Sequence, residues 1–457
     1  MLSIIDYVRQ SLKKSFDNLH NEKLKHNLLQ AIPFWIASLI TGVFAVLYAK
    51  IFTWGEQLMN FIFDWNPLMI FIIAPVGFVV SWWLVKEFAP YAKGSGIPQV
   101  MAAVELANPK ENRKIRQLLS LKIIIFKVLS SVALVIGGGA VGREGPTIQI
   151  AGSVFRKVNE YLPDWWPKIS KKNMIMTGAA AGLSAAFNTP LGGIVFAVEE
   201  LAKTHINYFK TALFTAVIIA GLMAQTLAGS YLYLGYPKTS DVSLTIMFPV
   251  MLVSGVSGIF ASQLSVWMLK ISAWKKRLKT NSANIIFLVI SALIIASLAY
   301  FVNREILGSG KEIMERTLFS ENKHEDWYIP IFRMIGPALS FTSGGAGGIF
   351  APALSAGASI GSVISGWIHL SPNETNVVIL AGMVAFLTGI TRAPFTSAII
   401  VLEMTDRHSL IFHLMLAGMV SSLISLMVSR KSLYDSLKIS YLEEIRSNEE
   451  LNKKSDK

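Results

Sequence analysis

The chain reads as an all-α polytopic membrane protein built from two inverted-topology repeats. Three observations predict this class. Charged residues make up 16% of the 457 residues and hydrophobic ones 53%, against about a quarter charged in ordinary soluble domains. The stretches 28–49, 65–85, 173–198, 211–237, 242–269 and 334–372 contain no Asp, Glu, Lys or Arg. A Gly- and Pro-bearing pattern from the first half also returns in the second at a nearly constant offset.

Each uncharged stretch is long enough to cross roughly 30 Å of hydrocarbon as a helix. A large soluble core would raise the mean hydropathy, here +0.49, without making such long uncharged runs. The runs are uneven and broken by Gly and Pro, so many tilted and partial helices are expected. Residues 1–29 alternate charge with Ile, Leu and Phe, which predicts a cytoplasmic amphipathic helix at the membrane surface. Residues 30–240 form a first membrane half and 241–435 a second, inverted half. Residues 436–457 form a cytoplasmic tail of mixed charge, and no soluble regulatory domain is expected after it.

The net charge of +13 would suggest nucleic acid in a soluble protein. Here excess Lys and Arg hold cytoplasmic loops on the inner face instead. The basic clusters lie at 9–25, 110–122, 156–172 and 275–279. With no cysteine, disulfides and thiolate metal sites are excluded. The seven histidines are scattered without a His-Glu-x-x-His pattern, so a membrane zinc protease is unsupported. No metal, cofactor or enzymatic activity is expected. A membrane-embedded enzyme would need a metal motif or a nucleophile–base pair, and the glutamates flank helix starts rather than each other.

The repeat is specific. Gly142-Arg143-Glu144-Gly145-Pro146 returns as Gly348-Ile349-Phe350-Ala351-Pro352, offset by 206 residues. Pro190 and Glu199 return as Pro394 and Glu403, offset by 204. The segment 110–122 before the first unit has five basic residues and one acidic; 303–326 before the second has four basic and six acidic. The first unit therefore starts in the cytoplasm and the second outside. Secondary transporters use such inversion to place a substrate site near the midplane.

Three turns lie inside apolar sequence: Gly94-Ser95-Gly96-Ile97-Pro98, Gly142–Pro146 and Gly348–Pro352. In each, Gly permits a sharp turn and Pro suits the first turn of a helix. A helix starting inside a membrane leaves N–H groups that hydrocarbon cannot satisfy. An anion satisfies them, and the helix dipole favours it. The alternative is a set of tight helix-packing turns.

These three motifs resemble the selectivity filter of the CLC family of chloride channels and chloride/proton antiporters. The resemblance extends to Thr177-Gly178-Ala179-Ala180-Ala181-Gly182-Leu183, Phe187-Asn188-Thr189-Pro190, Arg392-Ala393-Pro394 and Val401-Leu402-Glu403-Met404-Thr405-Asp406. It spans about residues 90 to 435 in the family's order. It is to the bacterial type without C-terminal CBS domains. It implies a CLC-type fold and a homodimer with a separate pathway in each subunit. The inner membrane is the expected location, with several passes and both termini cytoplasmic. Chloride, protons and the lipid bilayer are the expected partners, and nucleic acid is not.

Ser95 offers a hydroxyl at a helix start, where it also suits an N-cap; the resemblance makes it a chloride ligand. Ile349 and Phe350 would contribute backbone N–H groups. Tyr434 alone reads as an interfacial tyrosine, and the resemblance gives it the inner side of the chloride site. Glu144 is an intramembrane carboxylate and a functional candidate by default. Its repeat mate is Phe350, so the scaffold does not demand Glu there. The alternative is a capping glutamate or one paired with Arg143. The resemblance makes Glu144 the gate and outer proton-transfer group. Glu199 has the repeat mate Glu403, which suggests a structural pair. Glu200 is matched by Met404, and the resemblance makes it the inner proton-transfer residue. Lys127 either snorkels or places positive charge near an anion path. Met101 stands where some bacterial relatives carry a Glu.

The expected function is chloride/proton antiport. A passive chloride channel of the same fold is one alternative. A fluoride/proton antiporter is another, disfavoured by Ser95, which that branch usually replaces.

Overall fold

The computed structural model describes residues 10, 13, 14, 16, 17, 20–202, 210–229, 232–239 and 244–455. Among them no β-strand forms; the two isolated bridges are loop contacts. α1 (Glu22–Trp65) starts at Asn21, whose side chain accepts from the Leu24 N–H. Its 44 residues rise about 66 Å at the usual pitch, more than a bilayer core needs. It runs unbroken through residue 29, so the segment expected as a separate amphipathic helix and the first span are one helix. The part of that segment before residue 20 lies largely outside the described residues.

α2 (Ile70–Phe88) follows a tight turn at Asn66 and Pro67. The short α3 (Ile97–Glu105) carries the first Gly/Pro motif at its start. α4 (Leu121–Ile136) is capped by Ser120 and α6 (Lys171–Phe187) by Ser170, and between them α5 (Glu144–Glu160) carries the second motif. α7 (Pro190–Phe196) runs into a π-helical turn at Ala197–Ala202, and α8 (Lys210–Ala228) ends the half. The second half contains α9 (Met247–Lys275), α10 (Asn281–Phe301), α11 (Lys311–Phe319), α12 (Ile329–Thr342), α13 (Phe350–Trp367), α14 (Pro372–Thr391), α15 (Pro394–Thr405), α16 (Ile411–Val428) and α17 (Leu433–Ser455). α17 begins before residue 436, so the expected tail is the continuation of a helix rooted at Leu433.

Among the described residues, eight helical segments are long and apolar enough to span a membrane. Their outward faces carry exposed Phe61, Trp65, Phe248, Phe412 and Met427, as a lipid solvent permits. α14 differs: although long and apolar, it is almost wholly enclosed by protein. It packs along α13, where Gly357 and Gly382 bring the two backbones together. A Cβ on Gly357 would lie 2.2 Å from the Gly382 carbonyl oxygen, so no side chain fits. α5 and α6 make the equivalent pair in the first half, with Gly182 against Ala151. Small residues at membrane helix contacts allow this approach.

The repeat is visible as symmetry in the backbone. Gly142 N–H donates to Gly348 O at 2.8 Å and Gly348 N–H donates to Gly142 O at 2.6 Å. The two motif turns therefore bond reciprocally where the halves meet. α6 ends at Asn188 and α14 at Arg392, both left-handed, with φ of 57° and 66°. These positions are also 204 residues apart.

Candidate functional site

Four helix starts converge inside the protein: those of α3, α5, α13 and α17. The first motif turn is fixed by backbone bonds to the third. Gly94 N–H donates to Gly345 O, and Gly347 N–H donates to Gly94 O. Gly96 has φ 104°, and a Cβ there would sit 2.7 Å from Gln149 Cβ. Pro98, Pro146 and Pro352 all fall in the first turn of their helices, as the sequence predicts.

Lys127 does not snorkel. It is fully buried, and its Nζ donates to Ala92 O at 2.8 Å and Gly94 O at 2.7 Å. It thus ties α4 to the turn that carries Ser95. Among the described residues it forms no ion pair, and Met101, where some relatives carry a Glu, is buried. Two backbone carbonyls therefore satisfy its Nζ in the absence of a carboxylate.

Ser95 and Tyr434 are buried and their hydroxyls face each other. Neither Oγ nor Oη makes a hydrogen bond of normal geometry. Ser95 Oγ also lies against the backbone of Gly145, where a Cβ would come within 2.2 Å. Tyr434 occupies the first turn of α17, so the interfacial reading suggested by its position in sequence does not hold. Ile349 and Phe350 are buried at the start of α13, where first-turn N–H groups have no intrahelical acceptor.

Glu144 is the first residue of α5 and is almost completely buried. Its Oε1 accepts from Tyr233 Oη at 3.3 Å. Its Oε2 lies close to Gly142, where a Cβ would be 2.3 Å away, and has no hydrogen-bond partner. Arg143 turns toward α1 and donates to Ala49 O and Thr53 Oγ1, each at 3.0 Å. Arg143 and Glu144 form no salt bridge.

A chain of rings runs from Glu144 toward Ser95. Tyr233 meets Phe187 at 5.2 Å between centroids, Phe187 meets Phe350 at 6.2 Å, and Phe350 meets Tyr434 at 6.2 Å. Tyr233 and Phe187 escaped sequence reasoning as site residues. Phe187 stood in a quoted motif, whereas Tyr233 lies within the uncharged run 211–237 with no pattern of its own.

Glu200 lies in the π-helical turn and is 7% exposed. With Phe350, Tyr434, Thr391, Thr396 and Ser397 it lines a narrow cavity too tight to hold a water. Residues 203–209, which follow it, lie outside the described residues. Glu199, its neighbour, points elsewhere and binds the start of α15.

A family model described as voltage gated chloride channel matches residues 76–426. The chain belongs to this CLC family. Solved CLC structures share its fold. A slow cyanobacterial Cl-/H+ antiporter superposes with a TM-score of 0.78 at 24% identity, covering 93% of this chain and 99% of that one. A CLC-type fluoride/proton antiporter gives 0.74 at 19% identity, with 91% and 98% covered. A eukaryotic CLC transporter gives 0.71 at 19% identity, with 90% and 74% covered. As a CLC protein the chain is a multi-pass membrane transporter. The turns bearing Ser95, Glu144 and Phe350 all fall within the matched region. Tyr434 follows it by eight residues, and α17 brings it back to the CLC core.

Proposed function

We propose that this CLC protein is a chloride/proton antiporter. Chloride binds between the hydroxyls of Ser95 and Tyr434 and the α13 amides of Ile349 and Phe350. The observation that carries this reading is the pair of buried hydroxyls without normal partners, set where helix starts converge. A buried polar atom without a partner costs about 1–3 kcal/mol, which an anion between the two hydroxyls would recover. Weakly hydrated chloride suits such a site because partial positive charges suffice.

Glu144 is the gate and the outer proton-transfer group. Ionised, its carboxylate competes for an anion position at the start of α5; protonated, it yields that position. Glu200 is the inner proton-transfer group. It reaches the same aromatic partition as Glu144 from another direction, through the cavity bounded by Phe350 and Tyr434. Protons and chloride then share the outer part of the route and separate at Phe350. The protein works as a homodimer with one pathway per subunit, in the inner membrane, with both termini cytoplasmic.

The deciding experiment gives liposomes of purified protein only a chloride gradient and records pH. Antiport drives protons against their own gradient. Chloride flux without proton movement would leave the passive channel. Proton movement driven by fluoride but not by chloride would favour the fluoride/proton antiporter.

A further inference from the structure

The outer vestibule above Glu144 contains a second carboxylate that the gate does not need. The pocket is lined by Glu56 from α1, by Arg143 and Glu144, by Tyr233 and by the loop 304–310. Glu56 Oε1 accepts from the Ser309 N–H at 3.1 Å. Among the described residues Glu56 forms no ion pair.

Its seat is built. Arg333 is completely buried and takes the carbonyls of this loop, including Ile306 O and Ser309 O, each at 3.0 Å. It also donates to Ser355 Oγ on α13, the helix that begins with Phe350. With the carbonyls turned toward Arg333, the Ser309 amide is left to hold Glu56. Gly308 has φ 62°, and a Cβ there would come within 3.3 Å of Glu56 Oε1.

The cations around the vestibule are engaged with other groups. Arg143 binds Ala49 O and Thr53 Oγ1, and Arg304 pairs with Asp64. Lys311 pairs with Glu315 at 3.2 Å and lies over the Tyr233 ring. Glu305 pairs with Arg316, and Glu312 accepts from Asn60. Glu56 therefore stands without a cationic partner in the mouth of the path, in the pocket it shares with Glu144. A carboxylate there repels the transported anion. Its position is explained if it serves the proton.

We propose that Glu56 is the outer proton relay of this transporter, taking a proton from the external solution and passing it to Glu144. The inference rests on the antiporter reading. In the step, the Glu56 carboxyl gives its proton through vestibule water to the Glu144 carboxylate. Glu144 becomes the neutral acid, and Glu56 returns to the anion ready for the next proton. The Glu56 charge also favours the proton on Glu144 by plain repulsion between two carboxylates.

The test compares Glu56→Gln with wild type in liposomes. Glutamine keeps an acceptor for the Ser309 N–H, so a purely structural role would survive. Chloride-driven proton flux should fall roughly threefold to tenfold, less than for a full acid–base catalyst because water still reaches Glu144. The external pH of half-maximal chloride flux should move about half a unit to acid, as loss of one nearby charge predicts. Glu56→Asp should keep most of the coupling, and Glu315→Gln, on the same rim, should leave both readouts unchanged. Wild-type coupling in Glu56→Gln would overturn the relay while leaving antiport intact. So would an equal loss in Glu56→Asp or in Glu315→Gln, which would mean packing or general surface charge. Absence of proton flux in wild type would overturn antiport and the relay together.

Discussion

Glu199 and Glu403, repeat mates from opposite halves, each cap the helix that carries the other. Glu199 Oε2 accepts from Thr396 N–H at 2.7 Å and Thr396 Oγ1 at 2.6 Å, and its Oε1 from Phe395 N–H at 3.2 Å, all in the first turn of α15. Glu403, on α15, accepts from Leu191 N–H at 3.0 Å and Gly192 N–H at 2.7 Å in the first turn of α7. Both helices begin with Pro and expose their first amides, so a carboxylate supplied across the halves replaces a local cap.

This reciprocity makes the first prediction. Glu199→Ala and Glu403→Ala should each lower stability in detergent by about 1–2 kcal/mol, the worth of a charged cap. Thermal unfolding of the purified variants measures it. Glu199→Gln should be milder, since its amide oxygen still accepts one bond. Its proton-to-chloride ratio should match wild type, unlike that of the neighbouring Glu200→Gln. A change of ratio in Glu199→Gln would show that the pair does more than cap.

The second prediction concerns Ser95 and Tyr434. If their hydroxyls hold the anion, Ser95→Ala and Tyr434→Phe should each weaken chloride binding by about 0.5–1.5 kcal/mol, the net worth of one hydrogen bond. Calorimetric titration with chloride reads this directly. Unchanged affinity in both variants would remove them from the anion site.

The third prediction is a pH dependence at the root of Tyr434. α17 is fastened to α3 and the loops on either side of it by ion pairs outside the spanning segments. Lys93 pairs with Glu444, Lys438 with Glu105, Lys114 with Glu449 and Arg446 with Glu111. The Arg446 guanidinium holds the Glu111 carboxyl down at about 2, against an ordinary value of 4.5. A depressed carboxylate contributes stability above its ordinary value and loses it as pH falls toward its folded value. Docking of the outer part of α17 should therefore be constant above pH 4.5 and loosen between pH 4.5 and about 2. The pair is partly exposed, so the effect is small and screened by salt. The native chain has no cysteine, so one engineered cysteine pair can carry spin labels for a distance measurement across the contact. Arg446→Gln should remove most of the pH dependence. A wild-type distance that does not change over that window would mean other contacts hold the helix.

Much of this fold was legible because its signals are local in sequence. Uncharged runs gave the membrane class, and repeated Gly/Pro turns gave the two halves and the three helix starts. Glu199 and Glu403 were recognisable as a structural pair from their spacing alone. What escaped depends on contacts between distant segments. Tyr233 reaches Glu144 only because the loop after α8 folds back over α6. Lys127 reads equally as a snorkelling lysine until the Ala92 and Gly94 carbonyls are seen around it. That α1 continues through residue 29 was not legible either, because helical bonding tolerates a change from mixed to apolar faces. Glu56 was passed over as one charge at the end of an apolar helix. Arg333 and the loop it folds are what give that charge a place.

The fourth prediction separates the two buried glutamates. Glu144 stands at the outer end of the ring chain and Glu200 beside its inner end, with Phe350 between their surroundings. If Glu144 blocks the anion position when ionised, chloride flux should rise as external pH falls. Glu144→Gln mimics the protonated form, so it should carry chloride with little pH dependence and no proton coupling. Glu200 touches the proton route alone, so Glu200→Gln should keep chloride flux and its rise with external acid while losing chloride-driven proton pumping. The two variants thus lose pumping alike but differ in their pH profiles. Paired recordings of chloride and proton flux across a range of external pH distinguish them. A wild-type pH profile in Glu144→Gln would place the gate elsewhere. Intact pumping in Glu200→Gln would mean that the proton leaves the aromatic partition by a different inner group, and Tyr434, facing the same cavity, would be the next residue to change.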